Sequence, residues 1–531
     1  MKTVNDRVNP VDCAAYVLFA ILAGIILLTF RDYGVNSDEI AHVTNGHVIL
    51  DYYRTLFAEG LSPATHAFYQ SGHYAYEMYR YGGLVDAFAT AMTYATPLRI
   101  METWHLILAL IGLFGVVGCW KLARWMAGPR AALGAALMLT LVPAYYGHMF
   151  NNPKDVPFAA FFVWGVYYIV RLVACEGSVP WSLTLRAGLA MGACMGVRFG
   201  GLLLPMYLVF FMCLRNLAVD RRSWRTWVLS FAAAVLPAVL VAYAVMFVSW
   251  PWIHAAPLAR PFMALGEVTS RKIPYITVLF DGHLFTPDTL PVTYTLWHLA
   301  IQLPLMVELL ATAGLIMALI LHKRGRSRWR QETAPLSMVL FSAVFPLVYS
   351  ALRHAPVYNG FRHFLFTVPL IVCLAAVALV WLDEICVERF PGVRGIGAIV
   401  FAACLLWMAA AMIRLHPYQY IYYNALVGGV SGAQGRYELD YYCHTYAGAV
   451  RRLDALLRER YGLGYSGMRF RVHTGDNPFS STPFFPDNWE YAADASSADY
   501  VIDKALQTDA TVLAAITRCG VPLNYVMIPR R

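Results

Sequence analysis

Apolar runs long enough to cross a bilayer follow one another through most of this chain, at 11–30, 104–120, 131–146, 156–173, 187–197, 200–214, 227–250, 296–321, 334–352, 364–382 and 396–413. A run of about 20 apolar residues matches the hydrocarbon thickness, so the pattern predicts about 11 transmembrane helices. The fifth run is short for a crossing and reads as a broken or tilted span. Two stretches between the runs have a different period. Residues 38–57 carry a polar row at Asp38, His42, Asn45 and Tyr52, and Leu84, Phe88, Ala91, Met92 and Ala95 make an apolar stripe at helical spacing. Neither is long and apolar enough to span, so both are expected to lie along the surface inside a large first external loop, 31–103.

Beyond Leu415 the pattern changes again. Tyr446, Ala449, Val450, Leu453, Leu456 and Leu457 recur with the period of an amphipathic helix, and strand-like runs follow at 468–473, 500–502 and 523–528. The expected architecture is a polytopic α-helical membrane protein, residues 1–414, with a small C-terminal α/β external domain, residues 415–531.

Composition and charge agree with this picture. Of 531 residues 59% are hydrophobic and only 14% charged, and the mean hydropathy is +0.52. A soluble enzyme of ordinary composition, with about 25% charged residues, is excluded. The net charge of +9 comes from the membrane part, because the tail holds equal numbers of basic and acidic residues. Lys and Arg collect in alternate loops: Lys2 and Arg7; Lys121, Arg124 and Arg130; Arg171 and Arg186; Arg215, Arg221, Arg222 and Arg225; Lys323, Arg324, Arg326, Arg328 and Arg330; Arg389 and Arg394. By the positive-inside rule the N-terminus is cytoplasmic and the tail lies on the far side. Nucleic acid is not an expected partner. The ten cysteines include no CxxC pair and the histidines no HExxH spacing, so neither metal nor cofactor is expected. Cys443 and Cys519 are the two cysteines of the tail and are open to pairing in an oxidising compartment.

Candidate chemistry lies at the external ends of the spans. Asp38 and Glu39, after Asn36 and Ser37, fit an ordinary helix start, in which acids favour the positive end of the helix dipole. They also fit a catalytic base at the membrane surface. Asp155 closes the turn Asn151-Asn152-Pro153-Lys154-Asp155 on the same side, and two acidic sites at one depth suggest a polar cleft. Arg80, Lys154, Arg198, Arg353, Arg362 and His363 are on that side too. Each fits a snorkelling interfacial residue, and together they fit a phosphate clamp. Tyr74, Tyr76, Tyr79, Tyr81, Trp250 and Trp252 read as an interfacial aromatic belt or as the lining of a sugar pocket.

These residues resemble the GT-C superfamily of membrane glycosyltransferases, particularly glycosyltransferase family 39 with the protein O-mannosyltransferases and the lipid A aminoarabinose transferases. The resemblance rests on Asp38-Glu39 directly after the first span, on Asn152-Pro153-Lys154-Asp155, and on Arg362-His363 leading into a late Pro-containing span. Tyr422-Tyr423-Asn424, Gly428-Gly429 and Glu438-Leu439-Asp440-Tyr441-Tyr442 in the tail add to it.

It implies a GT-C-like fold and an inverting transfer of a sugar from a polyprenyl-phosphate donor to an acceptor hydroxyl on lipid, protein or glycan, at the periplasmic face of the cytoplasmic (inner) membrane, with the tail periplasmic. Asp38, Glu39 and Asp155 would be catalytic, with Asp38 the base. Arg80, Lys154, Arg362, His363 and His42 would bind the lipid phosphate or the sugar, without a metal. Two positions depart from the pattern: Arg80 is followed by Tyr81-Gly82 where the aminoarabinose transferases have Lys-Pro-Pro, and His363 stands where a Tyr is usual. A transporter of polar or anionic solutes and an O-antigen ligase or polymerase are the alternatives. The absence of paired repeats counts against the first, and the second fits only through the loop at 251–294.

Overall fold

The computed structural model describes residues 9–58, 60, 78–175, 178–217, 224–270, 276–323, 329–475 and 478–529. Of the expected features, Lys2, Arg7, Tyr74, Tyr76, Arg221, Arg222, Arg324, Arg326 and Arg328 lie outside the described residues, as do the side chains of Arg80, Lys323 and Arg330.

The helices in chain order are α1 (Pro10–Thr29), α2 (Glu39–Ala58), α3 (Leu84–Thr93), α4 (Ile100–Thr140), α5 (Pro143–His148), α6 (Asp155–Ala174), α7 (Trp181–Met195), α8 (Leu203–Arg215), α9 (Trp224–Ser249), α10 (Arg260–Ser270), α11 (Tyr294–Gln302), α12 (Leu305–Lys323), α13 (Trp329–Arg353), α14 (Val368–Arg389), α15 (Ile396–Leu415), α16 (Gly429–Ala433) and α17 (Thr445–Tyr461). Among the described residues seven helices are long and apolar enough to cross a membrane, or eight if α11 and α12, bent by 117°, form one broken span. The expected count of eleven is not confirmed. The run at 104–120 lies on the first arm of α4 and the run at 131–146 on its second arm and α5; the two arms are helices that meet at the non-helical Ala127 and Gly128 just before Pro129, so α4 counts once for two apolar runs. The runs at 187–197 and 200–214 fall in α7 and α8, of 15 and 13 residues, which are too short to cross alone.

The core of the membrane part is formed where α4, α6 and α14 pack together, and α6 is the most enclosed, with 83% of its apolar window buried. Small residues permit the close approach. A side chain at Gly115 would meet the Tyr145 hydroxyl and the Ala160 backbone, and one at Gly192 would meet Ala242 on α9. By contrast α15 has only 11% of its window buried, with Trp407 and Ile413 turned outward, as expected of a helix whose solvent is lipid.

The first external loop does contain two helices, and α3 turns its apolar stripe away from the protein, as a surface-lying helix would. Val85, Asp86, Ala89 and Thr90 are buried, whereas Phe88 and Ala91 are exposed. The apolar stripe faces away from the protein because the inward side is occupied by the polar row of α2, whose Asn45 and His42 hydrogen-bond Asp86.

After α15 the chain forms α17 and the strands β3 (Phe470–His473), β4 (Trp489–Tyr491), β5 (Tyr500–Asp503), β6 (Thr511–Arg518) and β7 (Val521–Ile528), numbered after a hairpin of β1 (Val278–Phe280) and β2 (His283–Phe285) in the loop before α11. The sheet order is β4-β3-β5-β7-β6, with β3 parallel to both β4 and β5 and the β7 pairings antiparallel. Tyr446, Ala449, Val450, Leu453 and Leu457 of α17 pack on Phe470, Val472, Ile502 and Val526 of the sheet. Cys443 is buried, Cys519 is exposed, and the two are not joined in a disulfide.

Candidate functional site

The loop after α1 is fixed by aromatic packing. Tyr33 stacks on Phe150 with ring centroids 3.9 Å apart and donates its hydroxyl to Gln419 of the tail at 3.1 Å. The chain then turns through Asn36. The Asn36 N–H donates to Glu39 Oε2 at 2.6 Å, and Asn36 Oδ1 accepts from the Asp38 N–H at 2.6 Å. The helix-start geometry is therefore present, but it is supplied by Asn36 and Glu39, which leaves the Asp38 carboxylate free to turn elsewhere.

The second turn, Asn151 to Asp155, is held by its asparagines. Asn152 Oδ1 accepts from the Asp155 N–H at 2.9 Å, and Asn152 Nδ2 donates to Asp155 Oδ2 at 2.9 Å. Asn36 Nδ2 donates to the Asn151 carbonyl at 3.2 Å, and Asn151 Nδ2 donates to the Gly34 carbonyl at 2.7 Å. Four bonds thus lock the two acidic loops to each other and to themselves.

Between them lies a chain of alternating charges. Lys154 Nζ is 2.6 Å from Asp38 Oδ2, and Arg362 Nη1 is 3.7 Å from the same oxygen. Arg362 Nη1 is also 3.3 Å from Asp155 Oδ2, and Arg198 donates to Asp155 Oδ1. Arg362 is sandwiched by aromatic rings, its guanidinium carbon 4.8 Å from the Tyr358 centroid and 5.0 Å from that of Tyr442, and it donates to the Tyr442 hydroxyl. Lys154 lies 5.3 Å from the Tyr81 centroid. Three cations face two carboxylates, an excess of one positive charge in a site where Asp155, Lys154 and Arg362 are buried and only Asp38 is substantially open to solvent, its side chain 33% exposed.

Electrostatics follow from this arrangement. Burial opposes ionisation of Asp38, but the Lys154 and Arg362 charges overcome it and hold the carboxyl below the usual carboxylate range. Burial likewise disfavours the Lys154 ammonium, yet Asp38 more than offsets it and pushes the group up to about 12. Glu39 behaves differently. It is fully buried, its Oε1 is 3.1 Å from His105 Nε2, and burial raises its pKa in spite of that neighbour.

Of the residues singled out in the sequence, Asp38, Lys154, Asp155 and Arg362 meet in this one cleft. Glu39 turns away from it toward His105. His42 pairs with Asp86, and His363 sits beside Arg362 with its ring 4.7 Å from that of Tyr358. Arg80 ends a short 3-10 turn, Met78–Arg80, and its side chain lies outside the described residues. Asp86, His105 and the part played by Tyr442 were missed. A lone acid inside the apolar helix α3 was the available signal for Asp86, since an unpaired carboxylate there would be costly.

The fold of the chain, helices of spanning length with a small sheet unit after them, is similar to that of the GT-C membrane glycosyltransferases. Residues 83–252 match the family model described as dolichyl-phosphate-mannose-protein mannosyltransferase. Among solved structures, ArnT from Cupriavidus metallidurans, determined bound to undecaprenyl phosphate, is similar at a TM-score of 0.50 and 14% identity, covering 97% of this chain and 98% of that one. The archaeal oligosaccharyltransferase AglB from Archaeoglobus fulgidus, in complex with an inhibitory peptide and a dolichol-phosphate, is similar at a TM-score of 0.50 and 12% identity, covering 93% of this chain and 70% of that one. No curated protein matches the chain in sequence.

Proposed function

We propose that the protein transfers a sugar from a polyprenyl-phosphate donor to an acceptor hydroxyl, with inversion, at the membrane face that bears residues 415–531, and that this face is the external, periplasmic side of the inner membrane. The observation that carries the reading is the charge chain Arg198–Asp155–Arg362–Asp38–Lys154, with its excess of one positive charge beside an outward-turned carboxylate. A polyprenyl-phosphate sugar is a phosphodiester with a single negative charge, which that excess matches. The lipid phosphates in the ArnT and AglB structures are monoesters, the chemical kind that such a transfer would release.

In this reading Asp38 accepts the proton of the acceptor hydroxyl, which attacks the anomeric carbon from the face opposite the phosphate. The bond from that carbon to the phosphate oxygen breaks, and the lipid phosphate gains a second charge. Arg362 and Lys154 stabilise it as it grows, with His363 beside Arg362; Arg80 is a further candidate for the phosphate, its side chain lying outside the described residues. Asp155 holds Arg362 and Arg198 in place. Residues 415–531 act as an external unit that places Tyr442 against Arg362. No metal is needed, because a monophosphate lipid leaves without a pyrophosphate to neutralise.

The test is mass spectrometry of envelope glycans, lipids and proteins from cells with the gene, without it, and without it but complemented by the Asp38→Asn form. One species should lose a single sugar in the deletion strain and fail to regain it with Asp38→Asn. Restoration by Asp38→Asn would discard the assignment of the base.

A further inference from the structure

One turn along α2 from Asp38, and on the same side of the helix, stands His42. Its Nδ1 lies 2.9 and 3.1 Å from the two oxygens of Asp86, and Asn45 Nδ2 donates to Asp86 Oδ2 at 2.7 Å. His42, Asn45 and Asp86 are each 2% exposed. An ionised carboxylate only accepts, so Nδ1 carries the hydrogen and the neutral ring offers its lone pair at Nε2. That Nε2 is buried and has no hydrogen-bond partner, an arrangement that costs free energy unless a bound molecule supplies a donor. The ring also borders the cleft: its centroid is 6.0 Å from that of Tyr81, whose ring lies 5.3 Å from Lys154 Nζ.

A carboxylate that orients a histidine and leaves the far nitrogen free is the arrangement of a proton acceptor whose positive charge is balanced in advance. Asp38 is poorly suited to keep a proton, since Lys154 at 2.6 Å and Arg362 at 3.7 Å favour its ionised form. The groups facing His42 are Asp86 from α3, Asp38 and Glu39 at the start of its own helix, and Tyr81 with Lys154 behind it; His105 of α4 is engaged by Glu39. We propose that the proton removed from the acceptor hydroxyl passes from Asp38 to His42 Nε2, with Asp86 balancing the imidazolium; this rests on the glycosyl transfer set out above. The acceptor O–H bond breaks as the bond to the anomeric carbon forms, and the electron pair of the broken sugar–phosphate bond stays on the lipid phosphate. The proton resides on His42 until it exchanges with solvent, and Asp38 is again ionised for the next cycle.

The test uses full-length protein in nanodiscs, supplied with the total lipid and envelope extract of the deletion strain, in which unused donor and acceptor accumulate; release of free polyprenyl phosphate is read by mass spectrometry across pH. His42→Gln keeps a hydrogen-bond acceptor but binds no proton, so kcat should fall about 10²-fold with KM unchanged, and the acid limb of the wild-type kcat profile, set by protonation of His42 before turnover, should disappear. Asp86→Asn should lower kcat and move that limb, and it provides the same reading if His42→Gln does not fold. Wild-type kcat in His42→Gln, or a lowered kcat with the acid limb unchanged, would overturn the relay while an inactive Asp38→Asn left the transfer itself standing. An active Asp38→Asn would instead remove the base on which both rest.

Discussion

Arg362 and Arg130 carry the same guanidinium, and each contacts two carboxylates, yet the Arg362 side chain is 2% exposed and that of Arg130 56%. Arg130 pairs with Asp383 and Glu384 beside the break in α4, on the face opposite the tail. Exposed pairs of this kind gain little, because water and salt screen them. Arg362 pairs with Asp38 and Asp155 on the tail face, between two aromatic rings and out of water. Burying that many charges is expensive unless each is matched. The opposite face leaves its ion pairs in solvent, whereas the tail face keeps its charges buried and matched to one another.

Several substitutions sharpen or break this contrast. The largest effect is expected for Arg362→Met, which would remove the proposed transition-state donor from a dry site and should lower turnover by about 10²–10³-fold, or ~2.7–4 kcal/mol of barrier; wild-type turnover in the nanodisc assay would dissolve the distinction between the faces. Asp155→Asn leaves Arg198 and Arg362 without their shared carboxylate. Breaking a buried pair costs about 3–5 kcal/mol, so detergent-solubilised protein should unfold at a clearly lower temperature. Tyr442→Phe removes the acceptor that the tail offers Arg362; hydrogen bonds to charged groups contribute about 1.5–3 kcal/mol, and a turnover loss of at least about tenfold with an unchanged fold would show that the tail completes the site.

A smaller effect concerns Glu438, beside the same cleft in the tail, where burial pushes the carboxyl up to about 7 in spite of Arg362 and Lys504. The folded state then holds a proton that the unfolded chain releases near its ordinary value of 4.5. The contribution to stability is complete below that value and is lost as pH rises through about 7. Glu438→Gln should flatten the dependence of Tm on pH across that window and raise Tm by about 2 °C or more at pH 8. Arg130→Ala, on the opposite face, should change stability by no more than ~0.5 kcal/mol. A large loss there would mean that exposure does not separate the two classes.

Much of the tail face was legible in the sequence because its residues are chemically conspicuous against apolar surroundings. Asp38, the Asn-Asn-Pro-Lys-Asp turn and Arg362 stand at ends of apolar runs, and the structure brings all of them into one cleft. The amphipathic face of α17 and the strands at Phe470, Tyr500 and Val521 were readable from period alone, and the resemblance to GT-C glycosyltransferases agrees with the observed fold. Other features were not readable. β4 has three residues and β6 is largely exposed, so neither carries a burial pattern. The crossing count was hardest to read at Gly128, where two helices meet with almost no linker, and at α7 and α8, which are short. The His42–Asp86 pair joins two helices, and no spacing within either one announces it.

The most direct measurement is the release of free polyprenyl phosphate by wild-type and Asp38→Asn protein from the deletion strain's lipid extract, in nanodiscs, with thermal unfolding recorded in parallel. Release by the wild type and none by a variant that unfolds at a similar temperature is the result expected from a carboxylate that faces the arginine-lined cleft and acts as the base. Equal release by both proteins, or by neither, would contradict it.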